Sequence, residues 1–473
     1  MKIHKGSALL RNATVICGLL LARALPAQTF TTLHSFLGGT EGAGPSGLIL
    51  SSDILFGTTT ANTSSNASWD AGTIFSTSID GSGFTNLHSF AAFTDNDPAD
   101  GTGPRAPLLL SGDTLYGTTL SGGSSSNGIV FSVSSHGTGF TILHSFTAAG
   151  NLTPTNSDGI YPRSGLVLSG DTLFGTAELG GGFGKGTIFS LKTDGSAFTV
   201  LHTFDNVDGN GPVGGLILSD HTLFGAAGGG GPSGAGTIFS INTNGTGFTN
   251  LHSFSGRPDG HSPNGRLILS DGILYGTTGA GGASNSNSGT VFSIRNDGTG
   301  FTTLHSFTPN SNGGITIANV DGAWPFAGLV LCGDTLYGTA HAGGPSRSGT
   351  VFGLKTNGSD FTVLHGFTNS DGVGPNSDLI LLGSTLYGTT DGGGSGYGTI
   401  FAVSLAPELT VTPSRSSVVL TWPTNFTGYA LQSTANLVSP VWTTNFPTPV
   451  VFNGLVTVTN PISGTQQFFR LSQ

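Results

Sequence analysis

Charge is what this sequence has least of. Lys, Arg, Asp and Glu make up 8% of its 473 residues, against roughly 25% in an average soluble protein. With 15 basic and 25 acidic residues the net charge is −10 at pH 7, so no basic stripe exists to displace counterions from phosphates, and nucleic-acid binding is excluded. Cysteine is nearly absent as well. Of the two, Cys17 lies within the first 27 residues and only Cys332 follows, which leaves no intramolecular disulfide beyond residue 27. Cys332 ends the run Leu329-Val330-Leu331-Cys332, where sister segments carry Ser51, Ser111, Ser169, Ser219 and Ser270. It reads as a neutral replacement and not as a nucleophile. After the leader no apolar run is long enough to span a bilayer, and no 3.6-residue periodicity marks helical repeats.

Glycine and phenylalanine stand against these absences, at 79 and 32 residues. Disordered chains lack aromatic and β-branched residues, whereas here Phe recurs beside Leu, Ile and Thr in a fixed pattern, so the composition indicates ordered β structure. The chain opens with Lys2 and Lys5, continues through an apolar stretch from Ala13 to Ala22 and reaches Leu25-Pro26-Ala27. Residues 1–27 are therefore expected to be a signal peptide, and the protein to be secreted or held at a bacterial cell surface. The competing reading is an uncleaved membrane anchor.

A Phe-Thr-x-Leu-His motif begins at Phe30, Phe84, Phe140, Phe198, Phe248, Phe301 and Phe361, at intervals of 50 to 60 residues. Each period contains four short β-type segments between Gly, Asp, Asn and Ser clusters, as in Phe248–Phe254, Leu267–Leu269, Ile273–Thr278 and Gly289–Ser293. Four strands in about 50 residues match one kelch-sized propeller blade. The first copy opens directly with its Phe-Thr-x-Leu-His strand, and the last ends at Thr399-Ile400-Phe401 without one. Residues 30–36 are thus expected to complete the last blade and cover the edges of an open array. The expected fold is all-β: a seven-bladed β-propeller over 28–405, closed by the N-terminal strand, with a small C-terminal β-sandwich over 406–473. The sandwich reading rests on Leu409-Thr410-Val411, Val418–Pro423 and Phe468–Leu471, which suggest a fibronectin-like or immunoglobulin-like module.

Leu115-Tyr116-Gly117-Thr118-Thr119 with Gly122-Gly123, and Gly186-Thr187-Ile188-Phe189 followed by Asp194-Gly195, resemble the bacterial GloVer tandem repeat of choice-of-anchor surface proteins. The resemblance covers roughly residues 30–404. It implies export and a repeat array, and it brings no established activity or catalytic residues.

Two recurrent motifs could carry chemistry. Seven histidines (His34, His88, His144, His202, His252, His305, His365) share one repeat position. On outer strands of separate blades they are too far apart to meet at one ion, and are expected to be packed and hydrogen-bonded. An acid-Gly-x-x-Pro link follows each, with Glu41, Asp100, Asp158, Asp208, Asp259, Asp321 and Asp371 as the acid. Asp-Gly forms a turn and Pro stiffens the approach to the next strand, which alone accounts for the recurrence. The functional alternative is a ring of carboxylates, Asp100, Asp158, Asp208, Asp259, Asp321 and Asp371, holding Ca²⁺ at the channel mouth. No other cofactor is expected.

An asymmetric ligand needs residues that break the repeat. On the long-loop face these are Arg105, Tyr161, Arg163, His261, Arg266, Trp324, Phe326, His341, Arg347 and Tyr397, aromatic and Arg side chains suited to sugars. No catalytic set stands out. The sequence therefore points to a monomeric binding or scaffold module for a glycan or protein ligand, the alternative being a propeller lyase or glycosidase acting on polysaccharide.

Overall fold

The computed structural model describes residues 29–61, 71–91, 100–150, 154–283, 287–308 and 319–405, and from 409 onward all but 415–416, 424–428, 437–439, 445, 453–454, 462–466 and 473. The expected signal peptide lies outside the described residues. Apart from one short 3-10 turn at Gly39–Glu41 the named elements are strands. Among the described residues no helix is long and apolar enough to cross a membrane.

The architecture is all-β, built from four-stranded antiparallel sheets that resemble propeller blades. In one of them Ile217–Ser219, Thr222–Ala227, Thr237–Asn242 and Thr249–Ser253 lie side by side in sequence order, and the same order recurs along the chain. The sheet of Ile380–Leu382, Thr385–Gly392 and Thr399–Ser404 takes its outer strand from the other end of the repeats. Phe30–Ser35 pairs antiparallel with Thr399–Ser404, from Phe30 opposite Val403 to Ser35 opposite Thr399.

Glycine in the second strand sets the packing within a sheet. A methyl group on Gly225 would stand 2.5 Å from the Phe239 ring and 3.0 Å from Leu216, so Tyr/Phe-Gly-Thr recurs because the third-strand Phe lies flat over a bare backbone. The third-strand Phe residues, Phe75 to Phe401, are fully buried.

The outer strand departs from strict alternation. Ile188 pairs with His202 and Phe189 with Val200, which leaves Leu201 as a bulge. The same shift recurs at Leu33, Leu87, Leu143, Leu251, Leu304 and Leu364. A bulge re-aims neighbouring side chains. Adjacent Leu and His can thus both face the next sheet: Leu201 packs into the cluster containing Phe239, and His202 stacks on Phe248 at 3.8 Å.

Apolar clusters join successive sheets. One unites Phe56 and Ile74 with Leu115 and Phe131. Another unites Val351 and Phe367 with Leu386 and Phe401. A third spans the first and last repeats, placing Phe36, Tyr387 and Ile400 against Leu48, Leu55 and Phe75. The His-on-Phe stacking runs the same course, and His365 meets Phe30 at 3.7 Å.

Beyond the repeats, Thr410–Ser414, Ser417–Pro423, Leu455–Pro461 and Val450–Phe452 form one sheet in that order, and Ala430–Thr434 pairs with Phe468–Ser472. Leu420, Trp422 and Val458 of the first pack against Leu431 of the second.

Candidate functional site

The two recurrent motifs turn out to be halves of one device. The Nε2 of His144, His202, His252, His305 and His365 lies 2.9, 2.7, 3.2, 3.3 and 3.1 Å from the carboxylates of Asp158, Asp208, Asp259, Asp321 and Asp371. His34 meets Glu41 at 3.3 Å, and the loosest copy is His88 with Asp100 at 3.7 Å. An ionised carboxylate only accepts, so Nε2 carries the proton. The same carboxylate accepts from the backbone amide three residues past the His, as from Thr308 N at 2.9 Å and Thr368 N at 2.7 Å. Hydroxyls of Thr147, Ser255, Thr308 and Thr368 donate as well. Except at Asp100, whose third strand opens with Ile129, the acid's carbonyl in turn accepts from the Thr that opens the third strand, as Asp208 O does from Thr237 at 2.9 Å.

The six aspartates therefore face the imidazoles of their own repeats. Their surroundings are N–H and O–H donors, which suit a carboxylate, whereas Ca²⁺ takes six to eight oxygen ligands. Among the described residues no three His, Cys, Asp or Glu gather as a metal-ligand set.

These latches make stability depend on pH. Burial holds His88, His252 and His365 below the ordinary imidazole value of 6.5, against the pull of Asp100, Asp259 and Asp371. For Asp158 and Asp321 burial alone would raise the carboxyl, but bonds from His144 and Thr147, and from His305 and Thr308, outweigh it and hold both below 3.8. Every one of these folded-state values is depressed, so the unfolded chain binds protons more readily. Through these latches stability is full above about pH 6.5 and falls in two stages on acidification: first through the three imidazoles, then below about pH 4 through the two carboxyls. Asp378 and Asp391, whose folded-state values are raised, act in the opposite sense and cost stability as pH rises, so thermal melts between pH 8 and 3 should show the descent in a variant with both replaced by Asn; a melting temperature of that variant that rises between pH 7 and 5 would contradict it.

The repeat-breaking residues behave differently. One cavity of about 2000 Å³ is lined by innermost strands and link segments from successive repeats, and by Arg105, Arg163, Arg266, Trp324, Phe326, His341, Arg347 and Tyr397. Tyr161 and His261 lie outside that lining. His261 Nδ1 instead bonds the Ser262 hydroxyl at 2.6 Å, and Tyr161 N donates to Asn127 O. Leu50, Leu110, Leu168, Leu218, Ile268, Val330 and Ile380 give the lumen an aliphatic wall, which is why the inner strands are only half-buried. The polar and aromatic groups enter from the links.

Charge is concentrated there. Arg105, Arg163, Arg266 and Arg347 are half of the eight arginines beyond residue 28. Three of them face acids that sequence reasoning missed. Arg163 Nη1 meets Glu178 at 3.1 Å. Asp378 accepts from Gly328 N at 2.6 Å; burial raises its carboxyl even though Arg266 opposes the shift. Asp391 is pushed up to about 7 by the protein wall around it, against the effect of Arg105 and a bond from Asn376. Its outer side is open to lumen water, so solvent offsets part of that crowding. Glu178, His341 and Asp391 share one repeat position, the sixth residue after the Thr that opens the second strand. Departure of an acid from the repeat is the signal that marks Glu178, Asp378 and Asp391.

Two lumen residues hold backbone conformations that disfavour side chains. The fourth residue of the link is left-handed in every repeat: Gly44 at φ 61°, Gly103 at 67°, Gly211 at 65° and Gly374 at 67°, but also Tyr161 at 62°, Ser262 at 58° and Trp324 at 61°. Arg347 at 65° likewise stands where Gly184 and Gly234 stand at 69°. A bulky residue at positive φ is strained by about 1–3 kcal/mol, and such strain collects at functional sites. Trp324 is held by an indole bond to Asn287 O at 3.1 Å. Beside it stand Phe326, with ring centroids 6.5 Å apart, and His341, 5.8 Å from Phe326.

The sequence profile of the Gloeobacter/Verrucomicrobia repeat matches residues 16–157, 151–320 and 315–419. No curated protein matches the chain. Among solved structures, the chain is similar to the extracellular domain of a putative one-component system from B. thetaiotaomicron, at 11% identity and a TM-score of 0.48, over 84% of this chain and 46% of that one. It is also similar to an oligogalacturonate lyase in complex with manganese, at 11% identity and 0.46, over 80% and 97%. A putative TolB from Agrobacterium tumefaciens gives 12% and 0.31, over 68% and 94%.

Proposed function

Because the chain belongs to the Gloeobacter/Verrucomicrobia repeat family, we propose that it is an exported binding module: a ring of seven blades over 28–405, closed by Phe30–Ser35, that holds a glycan in its central cavity, with residues 406–473 as an immunoglobulin-like or fibronectin-like sandwich. The observation that carries the binding reading is the convergence of eight repeat-breaking side chains on one lumen. Drift among repeats would scatter such departures over the surface. Two of the eight also bear backbone strain that a glycine would relieve. Aromatic faces beside carboxylates, amides and guanidinium groups suit a ligand whose rings are apolar on their faces and hydroxylated at their edges.

Trp324→Gly tests this directly. Gly44, Gly103, Gly211 and Gly374 occupy the same position, so the variant keeps the repeat's own backbone and should melt no lower than the parent. In calorimetric titration against plant and bacterial oligosaccharides it should bind about tenfold or more weakly. Undiminished affinity would place the ligand elsewhere.

One observation favours a second reading, catalysis on polysaccharide. Asp391, pushed up to about 7 in a cleft beside Arg105, has the poise of a general acid or base. Release of fragments from a bound polysaccharide, abolished by Asp391→Asn, would establish it; binding without turnover would set it aside.

A further inference from the structure

The charges of the lumen are not balanced. Arg163 pairs with Glu178, and Arg266 and Arg105 act on Asp378 and Asp391, whereas among the described residues no acid pairs with Arg347, which reaches the cavity from the Gly343–Ser348 loop. Arg347 is exposed and sits at a left-handed position that Gly184 and Gly234 fill in two sister repeats and Ser126 in a third. Its side chain is placed to meet a ligand that enters the cavity.

The neighbouring groups narrow the chemistry. The loop bearing Arg347 is tied to the Trp324 link through His341 N, which donates to Trp324 O at 3.1 Å, and through the Ala323–Ala342 bridge. Trp324, Phe326 and His341 therefore form one corner of the lumen with Arg347. Within it the His341 Nδ1 is buried without any hydrogen-bond partner. That nitrogen lies against Gly374, and burial lowers the basicity of the ring, so His341 is a neutral wall of the corner and adds no charge beside Arg347.

Resting on the glycan reading above, we propose that this corner is a subsite for an acidic sugar, a uronate whose ring lies on Trp324 and whose carboxylate pairs with Arg347. A planar guanidinium matches a carboxylate in two parallel hydrogen bonds. A single cation matches the single negative charge of a uronate, where a nucleotide phosphate would bring nearly two. Against the overall charge of −10, Arg347 gives this corner a positive charge that draws an anion in.

The test is calorimetric titration of the full chain with trigalacturonate, its methyl ester, cellotriose and AMP. Trigalacturonate should bind at least about tenfold tighter than the ester, the scale of one charge-assisted bidentate pair. Arg347→Gly, the residue of two sister repeats, should remove that preference without lowering the melting temperature, and Arg347→Lys should keep part of it. Raising salt from 50 to 500 mM should weaken the acid and leave the ester unchanged. Equal affinity for acid and ester, lost in Trp324→Gly, would overturn the acidic subsite and leave the glycan reading standing. Binding of the acid that is indifferent to Arg347 would overturn the assignment to this corner. Tighter binding of AMP than of any saccharide, or no saccharide binding at all, would overturn both.

Discussion

Deletion of residues 30–36 should leave a protein that no longer unfolds cooperatively. The strand fills the open side of Thr399–Ser404. At its ends it joins two other sheets, through Phe30 stacked on His365 at 3.7 Å and His34 stacked on Phe84 at 4.3 Å. Phe36 is fully buried against Phe75, 5.3 Å between ring centroids. Removing one such ring costs about 3–5 kcal/mol, against a total stability of about 5–15 kcal/mol for a domain. Removing two rings, a ladder of backbone bonds and the Glu41 latch exceeds what most domains hold in reserve. The deletion should therefore lose its near-ultraviolet circular dichroism and aggregate through the exposed edge of Thr399–Ser404. A synthetic peptide of residues 29–37 in excess should rescue it by adding a strand in trans. A truncated chain that melts with the parent and stays soluble would show that the strand is an accessory.

The second large effect is expected inside a single sheet. Phe239→Ala should destabilise by about 4 kcal/mol, because the ring is fully buried between Phe204, Phe248 and the Gly225 backbone. Gly225→Ala should cost about 1–3 kcal/mol by overpacking, since its new methyl would meet the same ring at 2.5 Å. The two are not additive. With the ring gone the methyl has room, so urea unfolding of the double variant should show a loss smaller than the sum of the single ones by about 1 kcal/mol or more. Strict additivity would mean that Gly225 recurs for its backbone freedom and not for the approach of Phe239.

How much of this was legible beforehand follows from where the information lay. The pairing of residues 30–36 with the last repeat could be read from the missing outer strand after Phe401, because a repeat with one strand too few and another with one too many admit one repair. The lumen residues could be read because they violate the repeat, and links between strands sit at one end of a propeller-like sheet. The bulge at Leu201 could not. Alternation in Phe-Thr-x-Leu-His looks complete on paper, and only the register against Ile188 and Phe189 breaks it. Nor was the partnership of His202 with Asp208 visible, although both positions had been singled out. Each recurs in every copy, and recurrence alone does not say which recurrent groups touch. The acids of the lumen were missed although they too depart from the repeat, Asp378 from the glycine of Gly47, Gly165, Gly215 and Gly328, and Glu178 and Asp391 from Gly228 and Gly279: beside links that already carry Asp, one more acid reads as a turn residue and not as the partner of an arginine.

The antiparallel pair between Phe30–Ser35 and Thr399–Ser404 also decides how the molecule carries tension. Ser404 N bonds Thr29 O at 2.9 Å, so the chain before Phe30 and the chain leading to the C-terminal strands leave from the same end of that pair. A pull between those two ends loads the ladder one rung at a time, as a zipper is drawn, and not all rungs together as in shear. That pair is thus the first element such a pull loads. Drag on a tethered copy would part the Phe30 strand first, and slackening would let the same residues find the same register again.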